Sequence, residues 1–275
     1  MSAGGWTSIR VRSPRDKTAA ISALFELGAE GIQEIDDDVV THIRDLDRAR
    51  ADSVLRETAT SAAIEYAPTP IVDWSAEWRS RITSHELGKL VVTPPWLAQR
   101  FPASRRIVID PGMAFGTGEH ETTRGVLRLM QRVVRAGDVV ADLGAGSAVL
   151  AIGAAKLGAR RVIAIEMDAD AIGNAEANVQ VNGVVDRVSV LEGDARVLLP
   201  LVAPVRVVLA NIISSVLIEL LPVIRASLDQ VGRAILSGIL RSERDDMTSA
   251  LEHDGWRVVE SDEEGLWWSV TIVPR

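Results

Sequence analysis

Residues 139–168 read VVADLGAGSAVLAIGAAKLGARRVIAIEMD. An apolar run, Val139–Asp142, ends in an acid and enters a turn that holds Gly144 and Gly146. Val149–Leu157 continues as an apolar helix, and a second apolar run, Val162–Glu166, again ends in an acid. Strand, glycine-rich turn, helix and strand make one βαβ unit, so the two strands are expected side by side and parallel. Glycine reaches left-handed backbone angles at little cost and lets a ligand approach the main chain. The first N–H groups of the helix have no partner inside it. Glu166 follows Gly144 by 22 residues, where a carboxylate accepts two hydrogen bonds from ribose hydroxyls. The expected ligand therefore carries a ribose.

The same rhythm continues downstream. Ala169–Asn182 reads as a helix stopped by Asn182-Gly183. Val188–Leu191, Val205–Ala210 and Ala234–Ser237 read as strands, and Ile213–Ser227 and Arg241–His253 as helices. Trp256–Ser261 and Trp267–Val273 close the chain as a hairpin-like pair around Asp262–Gly265. Alternating strands and helices argue for an α/β fold, a mostly parallel sheet covered on both faces, with an antiparallel strand added at the end.

Upstream, residues 6–67 follow a different order. Trp6–Arg12 alternates as a strand, and Pro14 marks a helix start. Ala19, Ala20, Ala23, Leu24 and Leu27 form the apolar stripe of that helix, with Gly28 as its stop. Gly31–Ile35 and Val39–Ile43 flank a turn of three Asp, Asp47–Thr60 is a helix, and Ala63–Ala67 is a last strand. The order βαββαβ is ferredoxin-like. Pro68 and Pro70 open a linker. In it Asp73–Ile82 reads as a short helix with Trp74 and Trp78 on one face, at the junction of two domains. Leu90–Thr93 and Ile107–Ile109 are further expected strands. The expected division is a domain over 1–67, a linker over 68–90 and a second domain over 91–275.

Composition excludes several classes. The 275 residues carry 30 Lys and Arg against 38 Asp and Glu, a net charge of −8, which argues against nucleic acid as a direct partner. Acids outnumber bases in residues 6–67 as well, and the middle strands of that stretch lack aromatic residues suited to stacking on bases. There is no Cys, so thiolate chemistry, disulfides and Cys-ligated metals are excluded. The four His are scattered without a metal-ligand spacing, and no metal is expected. No apolar run approaches the ~18 residues of a membrane span. The N-terminus MSAGGWTSIRVRS has no signal core. A soluble, cytoplasmic, monomeric enzyme without a membrane partner is the expectation.

The turn also bears on which ribose ligand is bound. A dinucleotide fingerprint places a third Gly where this chain has Val149. S-adenosylmethionine takes the looser G-x-G-x-G turn, here ending in Ala148. Asp194, in Glu192-Gly193-Asp194-Ala195, is placed to hold an adenine amino group, and Ala195 offers a backbone N–H to the ring. Asn211 follows the strand Val205–Ala210 and points to the same strand ends as Gly144 and Glu166. Its amide oxygen can orient an amine nucleophile, which makes it the candidate catalytic residue; a helix N-cap is its structural alternative. The irregular stretch from Asp110 to Thr123 holds three Gly and His120. It would cover the ligand, with Phe115 as an apolar wall and Thr123 as a donor. A nicotinamide-linked dehydrogenase, and a cofactor-sensing protein that transfers nothing, remain alternatives.

DPGMAFGTGEHETTR at 110–124, DLGAGSAVLAIGAAKLGA at 142–159, Glu166 and VVLANI at 207–212 together resemble the ribosomal protein L11 methyltransferase family. DWSAEWR at 73–79, TPPW at 93–96 and LSGIL at 236–240 fit the same family, so the resemblance covers nearly the whole chain. It implies an N-terminal ferredoxin-like domain that recognises a protein of the large ribosomal subunit. It also implies a seven-stranded class I methyltransferase domain, Rossmann-like, with an antiparallel last strand. By motif match Thr123, Gly144, Glu166 and Asn211 would bind S-adenosylmethionine, beside Phe115, Gly146, Asp194 and Ala195. The implied reaction is methyl transfer to Lys side chains or an N-terminal amine. Two departures stand out: Ala148 replaces the family's usual Gly, and Ile-Ile-Ser-Ser follows Asn211 in place of an Ile-Leu-Ala run.

Overall fold

The structure is a computed structural model and describes residues 6–29, 31–58, 62–68, 82–110 and 118–275. The helix expected at Asp73–Ile82, with Trp74 and Trp78, lies almost wholly outside them, as does Phe115. The chain divides into two compact units, Met1–Ser80 and Arg81–Arg275.

The first unit runs β1 (Trp6–Arg12), α1 (Lys17–Glu26), β2 (Ile32–Ile35), β3 (Asp38–Arg44), α2 (Arg48–Thr58) and β4 (Ala63–Pro68). Its strands form an antiparallel sheet in the order β2-β3-β1-β4. Alternation sends Ile9, Val11, Val39 and Ile43 to one face, where they bury against Ala20, Ala23, Leu24 and Leu55 of the two helices. Arg10 and Arg12 stand on the other face and pair with Asp38 and Glu65. The first helix begins after Pro14 because the Asp16 carboxylate accepts the Ala19 N–H at 3.0 Å and caps it.

The second unit opens with a small sheet of β5 (His85–Leu87), β6 (Leu90–Thr93) and β7 (Arg106–Val108). Eleven further elements follow: α3 (Glu121–Val133), β8 (Val139–Leu143), α4 (Val149–Lys156), β9 (Arg161–Glu166), α5 (Ala169–Val181), β10 (Val188–Glu192), α6 (Ala195–Val202), β11 (Val205–Asn211), α7 (Ser214–Ser227), β12 (Leu228–Leu240) and α8 (Arg244–His253). The hairpin β13 (Trp256–Glu264) and β14 (Trp267–Pro274) ends the chain. The seven strands from β8 on lie in the order β10-β9-β8-β11-β12-β14-β13. β10 to β12 are mutually parallel, and β14 runs antiparallel between β12 and β13. This is the class I methyltransferase sheet. Successive residues of a strand feed opposite cores: Val140, Val207 and Leu209 pack with α3, α4 and α5, while Ala141, Leu143, Val208 and Ala210 pack with α7 and α8.

The structure departs from the sequence reading at several elements. β5 lies in the stretch expected as a linker, and β13 runs on through Asp262–Glu264, where the turn was expected. The helix Ala195–Val202 was not expected: it is short, contains Pro200, and starts where Asp194 accepts the Arg196 N–H at 2.8 Å. The strand expected at Ala234–Ser237 extends over Leu228–Leu240 because β11 and β14 pair with it on both sides.

One contact set fixes helix α3 against the closing hairpin. Arg124, Arg128 and Arg132 meet Glu264, Asp262 and Glu260 in turn. Four residues of helix advance ~6 Å and two of strand ~6.8 Å, so one face of each presents charges in step. Burial pushes the Glu264 carboxyl up, but the hydrogen bonds from Arg124 and Arg128 outweigh it and hold it below its ordinary range.

Candidate functional site

The chain runs outward from β8 to β9 and β10, then returns to place β11 on the other side of β8. A crevice opens at such a reversal, at the carboxyl ends of the strands. Gly144 leaves β8 there, and Asn211 ends β11.

The β8 side is built from main chain. Gly144 and Gly146 take φ of +67° and +52°, and the turn they form opens helix α4. Ala148, the residue just before that helix, is also left-handed at φ +63°, so Ala occupies a conformation that favours Gly. From β9, the Glu166 carboxylate ties the turn down. Its Oε2 accepts the Gly146 N–H at 2.7 Å, and its Oε1 accepts the N–H groups of Met167 and Asp168 at 2.8 and 2.9 Å. A carboxylate offers about four lone-pair sites. A ribose taking two hydrogen bonds from Glu166 must therefore displace the Gly146 N–H or share its oxygen.

A cleft of about 670 Å³, partly open to solvent, lies beside this turn. Gly144, Glu166, Asp194 and Ala195 line it, with Ile165, Ile212, Val216 and Leu220 as apolar walls. Ala195 is the first residue of its helix, so its N–H is among those a helix leaves without an internal acceptor. Asp194 is not a free acceptor: the Arg196 guanidinium grips both its oxygens at 2.7–3.1 Å and holds its carboxyl below the usual range. Arg196 also reaches Glu219 across the cleft at 3.4 Å. It is the one cation among the described lining residues and is already paired. Acceptors for a ribose and an adenine beside apolar walls do fit S-adenosylmethionine.

The β11 side is built from side chains. Asn211 donates its amide N–H to the Thr123 hydroxyl at 3.4 Å, which leaves the amide oxygen as an acceptor. Thr123 is fully buried on α3. Its neighbour Thr122 offers its backbone carbonyl to the Ser237 hydroxyl, which is 2.7 Å from the Ser269 hydroxyl. Ile212 joins the two sides. Its side chain lies 3.4 Å from where a Gly144 Cβ would stand, and its carbonyl occupies the space a Gly238 side chain would need. Gly238 has φ +84° besides, so no other residue fits there without moving Ile212. Of the eight residues expected at the site, four line the cleft, Gly146 is bound to one of them, Thr123 and Asn211 pair next to Ile212, and Phe115 lies outside the described residues.

Three contributors were missed in the sequence. Arg196 has no motif of its own. Asn178 and Asn182 lie four apart on one helix face; Asn178 donates to the Ser147 carbonyl of the turn at 3.0 Å and accepts from the Asp110 N–H, and Asn182 bonds both backbone groups of Val108. Two polar residues on the buried face of α5 were the available signal. Asp142 was legible as the acid near the end of β8, one residue before Leu143 closes it. It is wholly buried, and its Oδ2 accepts the Ala151 N–H of α4 at 2.9 Å. Burial pushes its carboxyl up to about 7; the Ala151 N–H opposes the rise and the charge of Glu166 adds to it. Among the described residues no cluster of His, Asp and Glu could hold a metal, and no helix is long and apolar enough to cross a membrane.

Comparison with known proteins matches residues 15–274 to the family model "Ribosomal protein L11 methyltransferase (PrmA)". A relative from Desulforamulus reducens, named ribosomal protein L11 methyltransferase, is 36% identical over 229 residues, 80% of this chain and 73% of its own length. One of the same name from Pelotomaculum thermopropionicum is 40% identical over 197 residues, 71% of this chain and 63% of its own. The crystal structure of a ribosomal protein L11 methylase from Lactobacillus delbrueckii subsp. bulgaricus superposes with a TM-score of 0.64 at 29% identity, over 70% of this chain and all of that one. The chain belongs to the ribosomal protein L11 methyltransferase family.

Proposed function

We propose that this member of the ribosomal protein L11 methyltransferase family methylates amines of ribosomal protein L11, Lys side chains or the N-terminal amine, in the cytoplasm. S-adenosylmethionine would supply the methyl group, on a positively charged sulfur. One observation carries the reading: an acceptor for a ribose (Glu166) and an acceptor for an amine (Asn211) stand at one topological switch, with Ile212, the residue after Asn211, packed against Gly144.

In this reading Gly144, Gly146 and Glu166 hold the ribose, Asp194 and Ala195 the adenine, and Thr123 and Phe115 cover the site. A free Lys amine, with a pKa of about 10.4, is mostly charged at neutral pH and has no lone pair to offer. Desolvation beside a positive group lowers that value. Asn211 then accepts an N–H of the neutral amine and aims its lone pair, while Thr123 fixes the Asn211 amide. Positioning of this kind supplies on the order of 7 kcal/mol or more of the barrier reduction. Residues 1–67 would recognise the protein substrate, 68–90 would act as the linker, and 91–275 would carry the chemistry.

Intact-mass and peptide mapping of ribosomal proteins, incubated with the enzyme and the donor, tests this reading. Methyl increments on the amines of L11 are expected. An unmodified L11 alongside another methylated protein would reassign the substrate. No methylated protein at all would leave a cofactor-binding protein without transferase activity.

A further inference from the structure

Helix α7 starts without a side-chain cap of its own. The residue before it is Ile213, in a position where Ser, Thr, Asp or Asn is preferred. The positive end of a helix dipole favours an anion there. The anion comes from elsewhere in the chain. Glu243 lies 29 residues beyond Ser214, at the end of a short 3-10 turn, Arg241–Glu243, that follows β12. Its Oε2 accepts the Ser214 hydroxyl at 2.5 Å and the Leu240 N–H at 3.0 Å. These donors, the Ser214 hydroxyl foremost, hold the Glu243 carboxyl below its ordinary range. A hydroxyl bonded to a carboxylate makes a short contact, about twice as strong as a neutral pair.

The segment fastened in this way carries Asn211. It runs Asn211-Ile212-Ile213-Ser214 from the end of β11 into α7. Near its start the Ile212 N–H bonds the Ser237 carbonyl at 3.1 Å, and the Ile212 carbonyl sits against Gly238. At its far end Ser214 is tied to Leu240 through Glu243. Both ends of the segment are therefore stitched to β12. The Asn211 amide reaches Thr123 at 3.4 Å, which is long for a hydrogen bond. The turn, more than that bond, sets where the amide stands.

We propose that Glu243 is a positioning residue for the acceptor amine: it holds Ser214, and through Ser214 the turn that aims the Asn211 amide. The inference rests on Asn211 as the amine acceptor in the reading above. Ile212 is the member of the segment that lines the cleft, and Ser237 and Gly238 hold it independently of Glu243. Loss of the clasp should therefore slow transfer and spare donor binding.

Methylation of L11 at saturating donor, beside calorimetric donor binding, tests the proposal. The proteins compared are native, Glu243→Ala, Glu243→Gln, Ser214→Ala, the double variant Ser214→Ala/Glu243→Ala, and Asn211→Ala. Glu243→Ala should lower turnover about tenfold, short of the ~100-fold that misplacing a reacting group by ~1 Å costs. Its donor affinity should stay within about twofold of native, since the contact is not made to the donor. Glu243→Gln keeps an oxygen that accepts both donors, so its turnover should recover to within about threefold of native. Ser214→Ala should be slow as well, and the double variant no slower than Glu243→Ala, because two halves of one contact do not add. Native turnover in Glu243→Ala, a Gln variant as slow as the Ala variant, donor affinity lost in step with turnover, or a double variant slowed by the product of the single effects would each overturn the proposal. A slow Asn211→Ala in the same set would then leave the amine-acceptor reading standing. Native turnover in Asn211→Ala removes that reading and the proposal with it, as does a native protein that methylates nothing. Should Glu243→Ala not fold, Ser214→Ala decides, because it removes one hydroxyl and leaves Leu240 bonded to Glu243. A fall of about threefold or more with native donor affinity supports the clasp, and native turnover defeats it.

Discussion

The two sides of the crevice are made of different material. At the ends of β8 and β9 the fixed parts are main chain: two left-handed glycines and three backbone N–H groups on one carboxylate, all within residues 144–168. At the ends of β11 and β12 they are side chains from separate stretches, Asn211 to Thr123 and Ser237 to Ser269, 88 and 32 residues apart. A site for a constant small molecule can be built from backbone geometry, which one short motif encodes. A site for a protein amine needs side chains at a chosen depth, and tertiary packing has to supply them. If that division holds, damage to the two sides should leave different kinetic signatures.

The largest effect is expected on the β11 side. Asn211→Ala removes the amine acceptor and leaves the Thr123 hydroxyl without its amide partner. Turnover should fall on the order of 100-fold, the scale of a misplaced reacting group. Donor affinity should change by no more than about threefold, since an interaction made in the transition state alone leaves ground-state binding intact. Steady-state kinetics with L11, beside calorimetric donor binding, checks this. Turnover equal to the native enzyme's would remove Asn211 from the reaction and leave it a structural cap.

Glu166→Gln should do the reverse on the β9 side. The amide oxygen can still accept the Met167 and Asp168 N–H groups, but its NH₂ then faces the Gly146 N–H and one charged acceptor is lost. Hydrogen bonds to charged groups contribute about 1.5–3 kcal/mol, so donor affinity should drop roughly tenfold or more. Turnover at saturating donor should stay close to native. A fall in turnover with unchanged affinity would show that the two sides are not separable.

The same contrast explains what the sequence made legible. The unit from Val139 to Asp168 was readable because its strands, turn and helix are short-range, and Gly144, Gly146 and Glu166 were found from spacing alone. The βαββαβ order of the first unit was readable from alternation and turn residues. The family resemblance set Thr123 and Asn211 at one ligand, but their direct contact was not legible, because it depends on α3 crossing the end of β11. Arg196 was hidden by a helix too short, and too disturbed by Pro200, to announce itself. Its grip on Asp194 changes what that residue can do: an adenine amino group has to share the carboxylate with a guanidinium already on it. The ladder from Arg124 to Arg132 was equally silent, since its partners lie more than 120 residues on and the match is one of helix rise to strand rise.

Ala148 gives the smallest expected effect and the sharpest limit on the main-chain side. A left-handed non-Gly residue costs ~1–2 kcal/mol. Replacing it with Gly relieves that strain, but frees the unfolded chain by ~0.4–1 kcal/mol. It also strips a fully buried methyl from the core that α3 and α4 share, at ~0.8 kcal/mol. These contributions oppose one another, so Ala148→Gly should shift stability by less than about 1 kcal/mol in denaturant unfolding, and donor affinity by less than about twofold. The turn already has its left-handed form with Ala in place, and the methyl points into the core instead of the cleft, whose lining does not include it. A gain of tenfold or more in donor affinity on Ala148→Gly would mean that the methyl holds the turn away from its ligand. Backbone conformation would then be limiting on the β8 side, much as Asn211 is expected to be on the other.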